Sequence, residues 1–172
     1  MTKPPVTKKS FKNSEISYWI TPSPVGRLLL VGSPDGLQAL QFQDGAHPLD
    51  IQPTWTKSRE PFRAVLEQLR EYFDGSRTRF QITLNLHGTP FQRHVWKALQ
   101  RIPYARTVSY GEIARQVGRP KASRAVGAAN GQNPVSIIVP CHRVIGSNGN
   151  LVGYGGGLPI KTALLELEQS GY

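Results

Sequence analysis

The sequence predicts an α+β protein: a small antiparallel-sheet N-terminal domain over 15–86, then a mostly helical C-terminal domain over 87–172 that contains a helix-turn-helix. Three observations carry this. Short apolar runs broken by Pro and Gly crowd residues 16–42, two helix starts with complete capping signals follow residue 88, and the charge balance changes between the halves.

ISYWI, VGRLLLV and GLQALQF, punctuated by Pro22, Pro24, Gly32, Pro34 and Gly36, read as the strands of an antiparallel meander. A polar, Pro-containing stretch runs to about Arg59. Phe62, Val65, Leu66, Leu69, Tyr72 and Phe73 then recur at helical spacing until Gly75 stops the pattern. FQITLNL (80–86) alternates Phe80, Ile82, Leu84 and Leu86 with polar residues, which predicts a half-buried strand. In the second half, Thr89-Pro90-Phe91-Gln92 supplies a capping threonine, a proline at the first helical position and a capping-box glutamine. Phe91, Val95, Trp96 and Leu99 form that helix's inward stripe, read as core rather than as a base-stacking platform.

Ser109-Tyr110-Gly111-Glu112 is a second capping box, opening a helix with Ile113, Ala114 and Val117 inward and its end at Gly118. Pro120 then starts KASRAVGAAN across a short turn, at helix-turn-helix spacing. Its alanines leave a slim surface, with Arg124 the long cation in the middle. Such a helix approaches DNA closely yet reads little sequence, since base readers present several Arg, Asn or Gln side chains. VSIIV (135–139) reads as a buried strand, and PIKTALLELE (159–168) as the last helix.

The net charge is +10 and the pI near 10.1, which favours a polyanionic partner. From His87 to Leu165 there are ten basic residues and one acid, Glu112, whereas residues 1–86 are nearly balanced. A nucleic-acid face therefore belongs to the second half. Residues 1–14, with Lys3, Lys8, Lys9 and Lys12, are expected to be a disordered basic tail. No run approaches the ~20 apolar residues of a membrane helix and the opening MTKPPVTKKSFKNS lacks the apolar core of a secretory signal, so a cytoplasmic or otherwise intracellular protein without membrane contact is expected. The single cysteine rules out an internal disulfide, and no cluster has structural zinc spacing.

That cysteine, Cys141, sits in VPCHRV at the end of an apolar run. A free cysteine is more often a small buried hydrophobe than a nucleophile. Three features argue for chemistry: His142 as a base, Arg143 as nearby positive charge, and the glycine-rich Gly153-Tyr154-Gly155-Gly156-Gly157, which lets backbone approach a ligand. A free thiol of pKa about 8.5 is only a few per cent thiolate at neutral pH and needs such help. A carboxylate at Glu168 or Glu166 is placed to face back toward His142.

GTPFQRHVWKALQRIPY, VSYGEIA, SRAVGAANGQNP, IIVPCHRVIG and GYGGG, followed by a lysine-bearing helix, resemble in order the O6-alkylguanine-DNA alkyltransferases, also called methylated-DNA-protein-cysteine methyltransferases. The resemblance is strong over about 85–169 and looser over 15–84, where it implies a ribonuclease-H-like domain. It implies self-inactivating repair of double-stranded alkylated DNA, with Cys141 as alkyl acceptor, His142 its base through a bound water, Glu168 orienting the histidine and Asn133 shaping the turn. It also implies that Tyr110 contacts the flipped base and the backbone at its phosphate. Arg124 would fill the hole left in the duplex, with Lys121, Ala122, Ser123 and Ala125 beside it on the DNA. The carbonyls of Cys141 and Val144 would hold the guanine amine, backbone at Tyr154, Gly155 and Gly156 would approach O6, and Lys161 would lie near the pocket. Gly155 stands where some members have serine, and Ala105-Arg106 where Gly-Glu is usual. No cofactor and no metal are expected, because the cysteines of the zinc-binding members are missing. A monomer in solution is expected, with cooperative assembly on DNA left open.

Two other classes remain at this level. A cysteine hydrolase or acyltransferase would turn over repeatedly and need no basic half. A helix-turn-helix binding module or lesion sensor would hold DNA without transfer.

Overall fold

The computed structural model describes residues 15–170, so the tail expected over 1–14 lies outside them. The meander forms as β1 (Ser17–Thr21), β2 (Leu28–Ser33) and β3 (Gly36–Phe42), antiparallel throughout, with Trp19 opposite Leu30 and Leu30 opposite Leu40. Side chains alternate between faces along each strand. Leu28, Leu30, Leu40 and Phe42 enter the main core, while Leu29, Val31 and Ala39 pack with Ile16 and Trp55 on the other side.

A fourth strand, β4 (Thr56–Lys57), pairs parallel with β1 and gives the order β3-β2-β1-β4. The polar stretch hides it, because two residues cannot show alternation. What fixes it is Trp55, buried in the second cluster, and Lys57, whose Nζ lies 5.8 Å from the Trp19 ring. Helix α1 (Arg63–Phe73) follows, with Val65, Leu69 and Tyr72 buried, and Gly75 at φ +84° lies just past its end.

The strand predicted over 80–86 is reduced to one parallel bridge, Leu84 to Leu37. The alternation is real, since Phe80, Ile82, Leu84 and Leu86 all pack on the core. The ladder is confined to two bonds, Leu37 N–H to the Thr83 carbonyl and Asn85 N–H to the Leu37 carbonyl, both 2.9 Å. Gly36 makes this approach possible: its φ is +137°, and a Cβ there would stand 2.8 Å from the Thr83 oxygen. Gly36→Ala is therefore expected to destabilise by about 1–3 kcal/mol. Chemical denaturation checks this, as a lower midpoint at unchanged slope.

In the second half, α2 (Pro90–Leu99) starts at Thr89 with the full capping box, and Trp96 Nε1 donates to the Ala129 carbonyl at 2.8 Å, tying it to the alanine-rich helix further on. β5 (Val108–Ser109) leads into α3 (Tyr110–Gln116), capped reciprocally by Ser109 and Glu112. Helix α3 ends in a Schellman turn at Gly118 (φ +74°), with Gly118 N–H on Arg115 and Arg119 N–H on Ala114. Helix α4 (Ser123–Gly131) begins three residues after the predicted start, because Arg119 to Ala122 close a turn of their own at 2.9 Å. Helix α5 (Leu158–Ser170) closes the described chain. No helix among the described residues is long and apolar enough to cross a membrane.

The strand predicted over 135–139 is not formed. Val135 bridges Leu40, and the chain then turns back, with Ile137 at φ +71°. The apolar signal came from burial of Val135, Ile137 and Val139. Asn133 supplies the partners that a neighbouring strand would: its Oδ1 accepts from Val135 N–H at 3.0 Å and its Nδ2 donates to the Val139 carbonyl at 2.8 Å. A β-branched residue at positive φ is costly, about 1–3 kcal/mol, so the loop is held by its surroundings. Next come a 3-10 turn, Cys141–Arg143, and β6 (Val144–Ile145), which pairs parallel with β5. That pair sets the cysteine turn beside the start of α3.

Candidate active site

Cys141 is 4% exposed, and its N–H donates to the Val139 carbonyl at 2.8 Å. Burial pushes its thiol pKa up, against the opposing pull of the Asn133 side chain, the Lys161 charge and the Tyr154 hydroxyl. The cation acting on the thiol is thus Lys161, on α5, rather than Arg143 as the sequence suggested. Arg143 is turned to Glu168, with Nε 2.9 Å from Oε2 and Nη2 2.8 Å from Oε1, and its Nη1 donates to the Ile102 carbonyl at 2.8 Å.

His142 is fully buried, with Nε2 2.7 Å from Glu168 Oε1. The carboxylate assigns the proton to Nε2, which leaves Nδ1 as the lone-pair nitrogen. That Nδ1 is buried and has no protein hydrogen-bond partner. Burial lowers the imidazole pKa, and Glu168 opposes this. Burial alone would raise Glu168, but its bonds from His142 and Arg143 outweigh this and bring it down to about 2. Glu168 also accepts from Tyr72 Oη at 2.8 Å and from Ala105 N–H at 3.3 Å. Glu166, the other candidate, is exposed.

Lys161 is buried, and burial lowers its pKa. Its Nζ donates to the carbonyls of Val144 at 2.6 Å and Val152 at 3.0 Å, so it staples β6 to the loop before the glycines. Tyr110 opens α3, half-buried, with its hydroxyl 3.3 Å from the Val152 carbonyl. Gly156 is fixed by packing, since a Cβ there would meet the Phe42 ring at 2.7 Å. A Cβ at Gly155 would meet nothing within 4 Å.

A cavity of about 680 Å³ lies between the start of α3, helix α4 and the loop before α5; Cys141, His142, Lys161 and Glu168 do not line it. Tyr110, Ser123, Arg124, Tyr154 and Gly155 line it together, and so does Asn130, which the sequence reading missed. Asn130 is buried and its Nδ2 lies 3.4 Å from the Cys141 carbonyl, so the cysteine turn sits directly beneath the cavity wall. The alanine-rich pattern of α4 gave no sign that this one amide turns inward. Val144 and Gly156 stand outside the lining, as do Lys121, Ala122 and Ala125. Of these, Lys121 and Ala125 are exposed.

A buried thiol with a histidine and carboxylate behind it, under a cavity walled by both helices of a helix-turn-helix, defines a protein that brings a cysteine to nucleic acid. The chain belongs to the 6-O-methylguanine DNA methyltransferase family: residues 16–86 match its ribonuclease-like domain and residues 90–170 its DNA binding domain. It is 50% identical over 153 residues to the methylated-DNA--protein-cysteine methyltransferase of Methanosarcina acetivorans, covering 89% of this chain and 98% of that one. It is 51% identical to that of Mycolicibacterium paratuberculosis, covering 90% and 93%. Among solved structures, Mycobacterium tuberculosis OGT in complex with DNA superposes with a TM-score of 0.84 at 50% identity, over 90% of this chain and 94% of that one.

Proposed function

We infer that this protein performs direct-reversal DNA repair, moving the alkyl group of O6-alkylguanine in duplex DNA onto Cys141 once per molecule. The observation that carries this is the placement of the one cysteine beneath a cavity bordered by α3 and α4. The target base lies inside the stack and must be extruded, at a cost of a few kcal/mol. Arg124, exposed on α4 and lining the cavity, fills the gap, with Lys121, Ala122, Ser123 and Ala125 along the backbone.

The carbonyls of Cys141 and Val144, which already accept from Asn130 and Lys161, each keep a second lone pair for the guanine amine once the base enters, and backbone at Tyr154 to Gly156 approaches O6. Tyr110 contacts the base and the adjoining phosphate. His142 Nδ1, through a water, takes the thiol proton, and Glu168 holds the imidazole in the tautomer that allows this. Sulfur then attacks the alkyl carbon in line: an S–C bond forms, the C–O6 bond breaks, its electron pair leaves with the guanine, and the base regains one proton. Asn133 keeps the turn in shape, and Lys161 anchors β6 while favouring the thiolate. The product thioether resists hydrolysis, so the protein is consumed. A pocket built from preorganised donors stabilises the leaving base without any cofactor.

We further propose that the chain divides near residue 86, acts as a monomer in solution and works inside the cell on double-stranded DNA. Titrating a damaged duplex against protein tests the central reading: restored guanine should plateau at one equivalent per protein. Continued turnover would mark a hydrolase instead.

The basic half predicts salt-sensitive binding, because each neutralised phosphate releases counterions. Affinity for undamaged duplex should fall linearly on a log-log plot with a slope of roughly −0.9 per phosphate contacted. A flat response would remove this half as the DNA face.

A further inference from the structure

Glu168 gathers four donor residues from three parts of the chain: His142 and Arg143 from the 3-10 turn, Ala105 from the loop after α2, and Tyr72 from α1. Three of them lie within 90–170, the DNA binding domain match, whereas Tyr72 belongs to the ribonuclease-like stretch. Tyr72 is fully buried, and its ring sits among Phe73, Phe80 and Tyr104 at centroid distances of 5.3 to 6.3 Å. A tyrosine in an apolar cluster usually serves as core. This one spends its hydroxyl on the same oxygen, Oε1, that receives His142 Nε2.

We propose that Tyr72 is a positioning residue for alkyl transfer, through which the N-terminal half orients Glu168 and tempers its hold on His142. The inference rests on the function proposed above. Arg143 Nη2 reaches the same oxygen at 2.8 Å, and each donor that stabilises the carboxylate charge weakens that oxygen as an acceptor for the others. With the phenol in place, His142 is held in its working tautomer without being drawn toward the imidazolium form, which cannot accept the thiol proton. Burial, and then the Glu168 charge, raise the Tyr72 pKa far out of the working range, so the phenol stays a donor at every relevant pH. Other groups face the pair: Arg143 and Tyr104 on the Glu168 side, Lys161 on the His142 side. Arg143 and Lys161 act against the imidazolium.

Removing the hydroxyl should therefore raise the imidazole's affinity for protons and move the acidic limb of the transfer rate to higher pH. Tyr72→Phe keeps the ring. Phe80→Leu loosens the same cluster without touching Glu168, and so controls for packing. Single-turnover transfer from an O6-methylguanine duplex is followed from pH 5 to 9 in the full chain, with melting temperatures. The His142 titration is read separately by NMR on the protein without DNA. The expected result is a limb and an imidazole midpoint about half a pH unit higher in Tyr72→Phe, with neither moved in Phe80→Leu. Equal behaviour of the two variants, with changes in melting temperature alone, would overturn the proposal. If wild-type Cys141 takes no methyl group, the function reading fails. The His142 midpoint still decides for or against Tyr72.

Discussion

Cys141→Ala is expected to end alkyl transfer completely while leaving duplex affinity within about threefold of wild type, because affinity comes mainly from phosphate contacts. The two properties separate because they live on different elements. The thiol is 4% exposed beneath the cavity, whereas Arg124 and Ser123 stand exposed on α4. Deleting one buried sulfur leaves a small void, a cost of about 1 kcal/mol, and no charge is stranded. Guanine restoration and fluorescence anisotropy on lesion-bearing and plain duplex measure the two separately. Residual transfer by the alanine variant would mean that another group is the acceptor.

The second large effect belongs to Glu168. Glu168→Gln is expected to destabilise the fold by about 3–5 kcal/mol, since it strands the buried Arg143 guanidinium without its counter-charge. At about 2–4 °C per kcal/mol for a chain of this size, the melting temperature should fall by roughly 10 °C. The pH dependence carries the same signature. The folded Glu168 pKa of about 2 lies below the ordinary 4.5. A carboxylate depressed in this way contributes stability that is present above the unfolded value and lost as pH falls toward the folded one. Between pH 4.5 and 2 the wild type should lose stability of the order of 3 kcal/mol from this group. His142, lowered by burial from 6.5, adds loss of the same sign as pH falls below that value. The Gln variant should start lower and show a flatter decline below pH 4.5. An equally steep decline in both proteins would show that Glu168 is not the group titrating.

Much of this was legible in the sequence, for reasons that differ by element. The capping boxes at Thr89 and Ser109 are local chemistry, and both helices begin where those residues stand. Of the stripe Phe91, Val95, Trp96 and Leu99, the last three are buried and Phe91 is half-buried against the core, and the Trp96 indole turns into α4. The segment 135–139 misled because apolar content reports burial, not strand pairing. There the Asn133 side chain replaces the ladder.

The site shows the same division. The adjacency of Cys141 and His142 in sequence, and the choice between Glu166 and Glu168, were visible, and the structure brings His142 and Glu168 to 2.7 Å. Tyr72 and Asn130 were not, because each looks like part of a helix's ordinary pattern and acquires its polar role only from a segment far along the chain. Arg143 was misassigned for a related reason. Its neighbour in sequence is the cysteine turn, but its partner in space is on α5. The glycines divide likewise: Gly36 and Gly156 are required by close backbone or ring contacts, whereas Gly155 faces open space.

The most direct test of the central claim is the intact and peptide mass of the protein after incubation with a slight excess of duplex containing O6-methylguanine. A single added methyl on the peptide carrying Cys141, with guanine restored and no second turnover, is the predicted result. Tight binding with unmodified protein and unrepaired DNA would contradict it, and would make the cavity a lesion sensor in which His142 and Glu168 do not activate the thiol.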